Sequence, residues 1–492
     1  MAQTEPIRTK VVIVGAGFGG LGMGIALKRD GEDNFMILEE RSDVGGVWRD
    51  NTYPGCTCDV PSHLYSFSFA PYKSRHQRYP PQQAILTYLQ QVATDYGLRQ
   101  HLSLKTKVLK AHFREVENSW DIVTESEQHI QAEVVIFAVG QLHQPNYPDI
   151  PGLDEYCGHK FHSAEWDHSV DLNGKRISII GTGSSAAQML PTLASVSSSL
   201  TVYQRNPHWV LPKPDPDFSY IGRSILRIPG AHRAYRKALG YSADILLSPV
   251  MRSDAWRLVV EWYAKYNLRR QIASKELVQK LMPSYPIGSK RIVFDNHFYP
   301  TLTRQNVHLI TEPIKSISGS RIETSSGTFS ETEIIIYATG FRASDFLVPM
   351  SVRGRDGHSL NEDWNSGAEA FLGLAIHGYP NLFMIAGPNS FNPAGSNPEM
   401  KELQINYIMK CLRWKKEIGA QAIEVGQQAT SQYQEWLAGK IRRTVWPGSV
   451  NSWYKHESGK VTSPWPVSVR VFARMLRSKP HHSFASLEPR AS

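Results

Sequence analysis

The chain has 492 residues, more than one small hydrophobic core can organise, so two or three domains are expected. Hydrophobic residues make up 41% and charged residues 20%, which excludes a largely disordered chain. The longest apolar runs are far shorter than the ~20 residues that cross a bilayer, and the amino terminus lacks the pattern of a signal peptide. The sequence therefore predicts a cytoplasmic protein.

Cysteine content and net charge limit the partners that are expected. Four cysteines are too few for a disulfide framework, and the CxC pair Cys56 and Cys58 has no second pair at zinc spacing, so no metal is predicted. The formal net charge of +9 admits nucleic acid or an anionic membrane. We attribute it to two phosphate-rich cofactors and a basic surface helix. No nucleic-acid partner is expected, peripheral membrane contact stays open, and the oligomeric state is not predictable.

The first predicted elements are a strand at Lys10–Val14, a helix at Leu21–Lys28 and a second strand at Phe35–Leu38. A glycine turn joins the first strand to the helix. Glu39 ends the second strand about 20 residues beyond the glycines, where a carboxylate can hold a ribose hydroxyl. This order is typical of a dinucleotide-binding unit.

Three glycines of the turn have different physical roles. Gly15 permits the tight turn, Gly17 lets the backbone approach a pyrophosphate, and Gly20 allows close packing of helix on strand. The amino terminus of the helix then faces the phosphates. An adenine dinucleotide is predicted to bind here.

The same unit recurs after the strand Arg176–Ile180, where the turn reads Gly181-Thr182-Gly183-Ser184-Ser185-Ala186. Its partner strand, Leu200–Gln204, is followed by Arg205 instead of a carboxylate. A cation at this point suits the 2′-phosphate of NADP, although Arg205 as a solvated strand end is the alternative. The second ligand is predicted to be NADPH.

The remaining elements complete two sheets. Glu133–Gly140 and Glu333–Gly340 are predicted strands that return to the sheets, and residues 209–286 are predicted to form a helical insertion. Ala255–Arg270 within it is long, amphipathic and basic, and either covers the active site or touches a membrane, with a solvated face as the default. The predicted fold class is α/β, with two Rossmann-like dinucleotide-binding domains, for FAD and NADP, and a helical insertion.

Two longer motifs resemble one enzyme family. Residues Tyr156–Asp167 resemble the FxGxxxHxxxW(P/D) fingerprint of type I Baeyer–Villiger monooxygenases, class B flavoproteins that use FAD and NADPH, with Tyr156 in place of phenylalanine. Residues Gly45–Asp59 match the family pattern GGxWx4(F/Y)PGx3D. The resemblance implies that Gly46 and Trp48 bind FAD. It also implies a conformational role for three residues of the fingerprint: Gly158, His162 and Trp166.

Further resemblances lie at Ser289-Lys290-Arg291, at Ala338-Thr339-Gly340-Phe341 and at Asn451-Ser452-Trp453-Tyr454. They imply that Lys290 binds the NADP phosphate and that Trp453 folds over the nicotinamide cofactor. The family reacts reduced flavin with dioxygen to form a C4a-peroxyflavin, which converts a ketone to an ester or lactone. We predict that Arg291 favours the peroxide anion and stabilises the oxyanion of carbonyl addition, with Asp59 holding Arg291 in place.

Several alternatives remain. Asp59 could cap a helix, Arg291 could be a surface cation, and Trp453 could be only a core aromatic. A flavin-containing monooxygenase that attacks nitrogen or sulfur would share both cofactors but has no oxyanion to stabilise. A flavoprotein disulfide reductase would need a CxxC or CxxxxC pair near the flavin, and the CxC of Cys56 and Cys58 does not supply one. A non-catalytic flavin-binding module is the alternative of another class, and the intact motifs at both cofactor sites argue against it.

The predicted domains follow the motifs. Their bounds are 1–145 for the first part of the FAD domain, 146–208 and 287–333 for the two parts of the NADP domain, 209–286 for the insertion, and 334–492 for the second part of the FAD domain with the C-terminal region.

Overall fold

Strands and helices alternate along the chain, as the α/β prediction requires. The computed structural model describes residues 5–72, 76–214, 217–448 and 450–487. The strands are β1 (Ile7–Val14), β2 (Phe35–Glu39), β3 (Leu102–Leu104), β4 (Val108–Arg114), β5 (Ser119–Thr124), β6 (His129–Phe137), β7 (His159–His162), β8 (Arg176–Ile180), β9 (Ser199–Tyr203), β10 (Val210–Leu211), β11 (Val293–Phe294), β12 (Val307–Ile310), β13 (Ile314–Ser318), β14 (Arg321–Thr324), β15 (Phe329–Glu331), β16 (Ile334–Tyr337), β17 (Ser351–Arg353), β18 (Leu382–Met384), β19 (Ala422–Val425) and β20 (Phe484–Leu487).

Helices cover both large sheets and fill the insertion. They are α1 (Phe18–Arg29), α2 (Val47–Asp50), α3 (Gln82–Asp95), α4 (Ser184–Val196), α5 (Tyr220–Ile225), α6 (Ala231–Ser242), α7 (Asp254–Gln271), α8 (Lys275–Leu281), α9 (Phe298–Leu302), α10 (Leu360–Asp363), α11 (Asn397–Glu417), α12 (Gln427–Ile441) and α13 (Val469–Met475). None of the helices within the described ranges is long and apolar enough to cross a membrane.

The first sheet has eight strands and is built around β1. Strand β1 pairs in parallel with β2 on one side and with β6 on the other, and β2 pairs in parallel with β3. The first half of β6 pairs antiparallel with β5, while its second half pairs in parallel with β18 from the carboxyl-terminal region. The first sheet therefore unites the beginning and the end of the chain.

The second sheet has five parallel strands in the order β12-β9-β8-β16-β7. Strand β16 lies between β7 and β8, so residues 334–337 group with this sheet. The predicted boundary at residue 334 assigned them to the FAD domain instead. By strand pairing these four residues continue the second sheet, and a short apolar run does not by itself indicate which sheet a strand joins.

Two chain crossings connect the sheets side by side. The amide of Asn146 donates to the carbonyl of Gly340 at 2.9 Å, and the amide of Arg342 donates to the carbonyl of Gln144 at 2.9 Å. The segments after β6 and after β16 thus pair with each other, and we call these two paired connecting segments, residues 144–146 and 340–342, the strap.

The local predictions hold with small changes of length. Helix α1 begins at Phe18, three residues before the predicted start, because Gly17 already occupies the amino-terminal cap. His162 ends strand β7 and is followed by a short 3-10 turn at Ser163–Glu165, so His162 and Trp166 do not lie on one helix. Residues 209–286 are largely helical, and β10 at their start pairs with β11 just beyond their end.

The tight contact of α1 with its own turn generates a stability prediction. A methyl group on Gly20 would overlap the carbonyl oxygen of Gly15. We expect Gly20→Ala to lower the free energy of unfolding by about 2–3 kcal/mol, because the backbone at Gly15 must shift to make room for the methyl group. Chemical denaturation of the purified protein measures it. Gly439→Ala in α12, where the nearest atom is the end of a flexible arginine at 3.8 Å, is the control and should be neutral or slightly stabilising. Equal stability of the two variants would contradict the packing argument.

Candidate active site

Two glycine motifs form the floor of a cleft at the carboxyl end of β1. A Cβ on Gly15 would lie 2.9 Å from the carbonyl oxygen of Ala138, and a Cβ on Gly46 would lie 3.2 Å from the Cα of Gly17. Gly46 also has a φ of +54°, which side chains other than glycine rarely adopt. The predicted glycines Gly15, Gly17 and Gly46 are therefore brought together, with bare backbone facing the cleft.

Glu39 lies at the rim of this cleft and is buried. Its Oε2 accepts a hydrogen bond from the amide of Ala16 at 2.7 Å, and its Oε1 accepts one from the amide of Arg41 at 2.9 Å. Burial raises the pKa of Glu39, and these two hydrogen bonds partly offset the effect. Glu39 thus braces the glycine turn in addition to any contact with a ribose.

The cleft fits an extended dinucleotide. It encloses about 1040 Å³ of empty space, including its open mouth, and Trp48 lines it. The indole Nε1 of Trp48 donates to the hydroxyl of Tyr65 at 3.2 Å, which fixes the ring against the cleft. Bare glycine backbone, a helix amino terminus and an aromatic wall are the features that FAD requires.

Lys401, on helix α11, also lines the cleft, and the sequence analysis missed it. Burial lowers its pKa to about 8. Within the described part of the chain, its ammonium group has no ion pair or hydrogen bond. A desolvated cation without a counter-charge is suited to an anionic group of a ligand. No motif marks Lys401, since a lysine in a helix ordinarily indicates a solvated face.

The second glycine turn lies at the carboxyl end of β8. The amide of Gly181 donates to the carbonyl of Tyr203 at 2.9 Å, and a Cβ on Gly181 would overlap the carbonyl oxygen of Ala338. Gly183 is the amino-terminal cap of helix α4, and a Cβ at this position would meet open space. Ser184 and Ser185 begin the first turn of α4. The first amide groups of a helix have no partners within it, so this turn can bind a phosphate.

Arg205 and Lys290 supply two positive charges near this turn. Burial and the charge of Arg205 lower the pKa of Lys290 to about 8, and the Nζ of Lys290 lies 5.3 Å from the ring centre of Tyr285. Burial, and to a smaller extent the positive charge of Lys290, lowers the pKa of His208 to about 4. Neither cation has a carboxylate partner among the residues that the structure describes. Such a pair suits the 2′-phosphate of NADP.

Asp59 and Arg291 form the ion pair that the sequence predicts. The Nη2 of Arg291 donates to Oδ1 at 2.8 Å and to Oδ2 at 2.6 Å, and its Nε donates to Oδ2 at 3.2 Å. Burial alone would raise the pKa of Asp59, but the charge and hydrogen bonds of Arg291 and the charge of Lys213 hold it below its usual value. No helix begins at Asp59, so the capping alternative is excluded.

Aromatic side chains surround the guanidinium of Arg291. Its Cζ lies 5.5 Å from the ring centre of Phe391, and the ring of Trp453 lies 4.9 Å from that of Phe391. Tyr454 is buried beside them, and burial raises its pKa. The charge of Arg291 lowers that pKa, and the charge of Asp59 raises it. The structure thus places Trp453 on the wall around Arg291. The sequence analysis missed Phe391, which lies outside the motifs it identified, and Lys213, which lies in a loop without a motif.

The YPG turn of the first motif joins the two sheets. The hydroxyl of Tyr53 donates to the Oε1 of Gln188 on α4 at 2.9 Å, and the Nε2 of Gln188 donates to the carbonyl of Thr57 at 3.0 Å. A Cβ on Gly55 would overlap the carbonyl oxygen of Gln188. The segment that carries Asp59 is therefore fastened to the helix that follows the second glycine turn.

The fingerprint residues lie at the strap between the sheets. His162 is fully buried, and its ring lies 5.5 Å from that of Tyr147 and 5.7 Å from that of Phe341. Burial lowers the pKa of His162, so its imidazole is neutral at pH 7. A Cβ on Gly158 would overlap the ring of Tyr156 and the carbonyl oxygen of Glu333. Trp166 packs edge-on against Phe161 at 5.0 Å.

Comparisons with known proteins agree with this geometry. A family profile described as pyridine nucleotide-disulphide oxidoreductase matches residues 12–228. The chain is 37% identical over 494 residues to a Baeyer–Villiger monooxygenase of Streptomyces coelicolor, which covers 99% of this chain and 95% of that protein. It is 38% identical over 476 residues to a Baeyer–Villiger monooxygenase of Pseudomonas aeruginosa, with 95% and 89% covered. This chain belongs to the Baeyer–Villiger monooxygenases.

Solved structures place the fold in the same group. An oxidised steroid monooxygenase bound to NADP is 28% identical with a TM-score of 0.88, and the match covers 98% of this chain and 100% of that one. A cyclohexanone monooxygenase from Rhodococcus sp. Phi1 bound to NADP⁺ is 26% identical with a TM-score of 0.87, covering 98% and 99%. The predicted fold class, the enzyme class and the cofactors FAD and NADPH are confirmed.

The thiols of this Baeyer–Villiger monooxygenase do not suit disulfide exchange, despite the description of the family profile. Cys56 and Cys58 are both free and buried. Burial raises the pKa of Cys56 to about 11 and raises that of Cys58 further. Reactive thiols have lowered pKa values, so these two are structural.

Lys401→Met tests whether the unpaired cation binds FAD. It removes the charge and keeps an unbranched side chain, and we expect FAD affinity to fall about tenfold or more, because a hydrogen bond to a charged group contributes ~1.5–3 kcal/mol. Titration of the apoprotein with FAD, followed by flavin fluorescence, measures the dissociation constant. Lys416→Met, on an exposed position of the same helix, is the control. Unchanged affinity in Lys401→Met would show that this lysine does not contact the cofactor.

Lys290 should make NADP⁺ binding depend on pH. Its ammonium is charged below a pKa of about 8 and neutral above it, and a bound phosphate moves that pKa upward. The dissociation constant for NADP⁺ should therefore rise between about pH 7 and about pH 10, and Lys290→Met should flatten the profile. NAD⁺ lacks the 2′-phosphate and serves as the control ligand in the same calorimetric titrations. A profile in Lys290→Met parallel to that of the unmodified protein would refute the assignment.

Proposed function

We propose that Arg291, positioned by Asp59, is the catalytic residue for ketone oxidation in this chain. The enzyme combines a ketone, dioxygen, NADPH and a proton to give an ester or lactone, water and NADP⁺. The observation that supports the proposal is the partly buried, triply hydrogen-bonded contact between the two side chains.

Arg291 is a permanent cation in a partly dry site. Burial alone would lower its pKa, but the carboxylate of Asp59 raises it well above its usual value. A fixed guanidinium stabilises negative charge as it develops on the oxygen of an attacked carbonyl group. Transfer of oxygen to an amine or a thioether has no carbonyl oxyanion, so Arg291 favours the ketone reaction.

Asp59 acts as a positioning residue. Its two oxygens engage Nε and Nη2 of Arg291, and no hydrogen bond of Nη1 is found within the described residues. The Nη1 edge is therefore left for substrate and oxygen. Lys213, whose Nζ lies 3.5 Å from the carbonyl oxygen of Cys58, adds positive charge behind the carboxylate and keeps Asp59 ionised.

The cofactors bind on the two glycine turns in this proposal. When bound, FAD would supply the redox chemistry, namely hydride transfer from NADPH and activation of dioxygen. The residues that hold FAD are Gly15, Gly17, Gly20, Glu39, Gly46, Trp48 and Lys401. The residues that hold NADPH are Gly181, Gly183, Ser184, Ser185, Arg205, Lys290 and Trp453. The first sheet is then the FAD domain and the second sheet the NADP domain.

The wall around Arg291 selects an apolar substrate. The rings of Phe391, Trp453 and Tyr454 are clustered next to the guanidinium, so Arg291 is a single polar group in apolar surroundings. A ketone has this pattern, with one polar oxygen on an apolar body. The solved relatives named for steroid and cyclohexanone substrates support cyclic ketones as the class to test first.

The fingerprint has a conformational role in the proposal. His162 is fully buried against the rings of Tyr147 and Phe341, and its Nδ1 accepts a hydrogen bond from the amide of Ala164 at 3.1 Å, so it is not placed to act as the general base of the reaction. Gly158 and Trp166 set the packing around it. These residues couple the strap to the relative placement of the two sheets.

Arg291→Ala is the decisive variant. With FAD, NADPH, air and a mixture of a cyclic ketone, a tertiary amine and a thioether, we expect ester or lactone formation to fall about 10²–10³-fold, because a charge-stabilising donor is lost. NADPH oxidation should continue, with hydrogen peroxide as the product. Mass spectrometry of the organic products together with peroxide quantification separates the two outcomes. Arg342→Ala removes an exposed arginine paired with Asp345 and is the control. Unchanged ester formation, or products confined to N-oxides and sulfoxides in the unmodified enzyme, would overturn the proposal.

A further inference from the structure

Large apolar side chains are exposed along one part of the chain, the helical insertion. Within the described residues, most exposed side chains of this kind lie between residues 220 and 266. They are Tyr220, Ile221, Ile225, Ile228, Tyr241, Ile245, Leu246, Trp256, Leu258, Val259, Trp262, Tyr263 and Tyr266. A patch of this size on a water-soluble surface indicates an interaction site.

Helix α7 presents several large apolar side chains to solvent, although it also buries Ala264 and Leu268. Leu258 and Trp262 are 61% and 67% exposed and lie one helical turn apart. On the side that faces the protein, Glu261 is only 12% exposed and accepts a hydrogen bond from the amide of Ile287 at 2.9 Å, which fixes this orientation. The helix therefore leaves more apolar surface in water than an ordinary surface helix does.

The exposed side of α7 is continuous with the segment before it. The rings of Trp262 and Tyr266 are stacked 5.9 Å apart, and the Nε1 of Trp256 donates to the carbonyl of Leu246 at 2.7 Å. We define the α7 face by seven exposed residues of this region: Ile245, Leu246, Leu258, Val259, Trp262, Tyr263 and Tyr266.

Positive charge is concentrated in the same region. Residues 220–270 contain ten lysines and arginines but three aspartates and glutamates, an excess of seven in a chain whose net charge is +9. Arg269 and Arg270 are exposed on the last turn of α7, next to Tyr266. The α7 face thus combines aromatic and aliphatic side chains with basic residues at its border.

We propose that the α7 face docks on the surface of an anionic lipid bilayer. Tryptophan and tyrosine favour the boundary between water and lipid, and basic residues beside an apolar helix face bind anionic headgroups. A second copy of the chain fits the surface less well. A twofold interface would place this positively charged face against itself, and like charges repel.

Vesicle flotation of the FAD-loaded, full-length protein tests the proposal. We expect it to float with vesicles in which about a third of the phosphatidylcholine is replaced by phosphatidylglycerol, and to float less with added salt. The double variant W262S/Y266S should bind at least about tenfold more weakly, because its interfacial side chains are lost. The control, Ile418→Ser, removes an apolar side chain that is 45% exposed outside the insertion and should bind like the unmodified protein.

Two further measurements distinguish the possible outcomes. Ketone oxidation by W262S/Y266S with a water-soluble substrate should be unchanged, which separates this proposal from the function of Arg291 and shows that the variant is folded. Light scattering after size-exclusion chromatography gives the oligomeric state. Absence of vesicle binding, equal binding to neutral and anionic vesicles, or a dimer that W262S/Y266S converts to a monomer would each overturn the proposal.

Discussion

The ion pair of Asp59 and Arg291 is the interaction on which the rest of the site depends. The two residues are 232 positions apart, and the pair forms only when the YPG turn and the segment before β11 meet. Removing two charges from water is costly, so the pair needs close hydrogen bonds to persist. Gln188 supplies part of that support by fastening the YPG turn to α4. The proposed catalytic cation is therefore positioned only in a chain whose two sheets are assembled.

In the proposed function, the consecutive residues Lys290 and Arg291 serve two different ligands. Lys290 points toward Arg205 and the second glycine turn, whereas Arg291 points toward Asp59. The difference in their pKa values follows from their partners, since Lys290 has a second cation nearby and Arg291 has a carboxylate. The cation with the lowered pKa is poised for a bound phosphate. The cation with the raised pKa keeps its charge through the reaction.

The sequence predicts those parts of the structure that local sterics determine. Gly20 and Gly181 are identifiable because a Cβ at either would overlap backbone, and Asp59 with Arg291 because they lie in long motifs. The sheet to which β16 belongs depends on non-local pairing, which the sequence does not reveal. Lys213 and Lys401 are single lysines without a motif. The amphipathic pattern of α7 predicts a helix but does not reveal that many of its large apolar side chains face outward, because that depends on the hydrogen bond of Glu261 with the Ile287 amide.

A double-mutant cycle on Asp59 and Arg291, measured as kcat/KM for ester formation, tests directly whether the carboxylate acts through the guanidinium. We expect strong non-additivity. Asp59→Ala should lose most of the activity because Arg291 is then unpositioned, and adding Arg291→Ala should cost little more. Additive losses, with each residue contributing independently of the other, would contradict the claim that the carboxylate acts by holding the guanidinium in place.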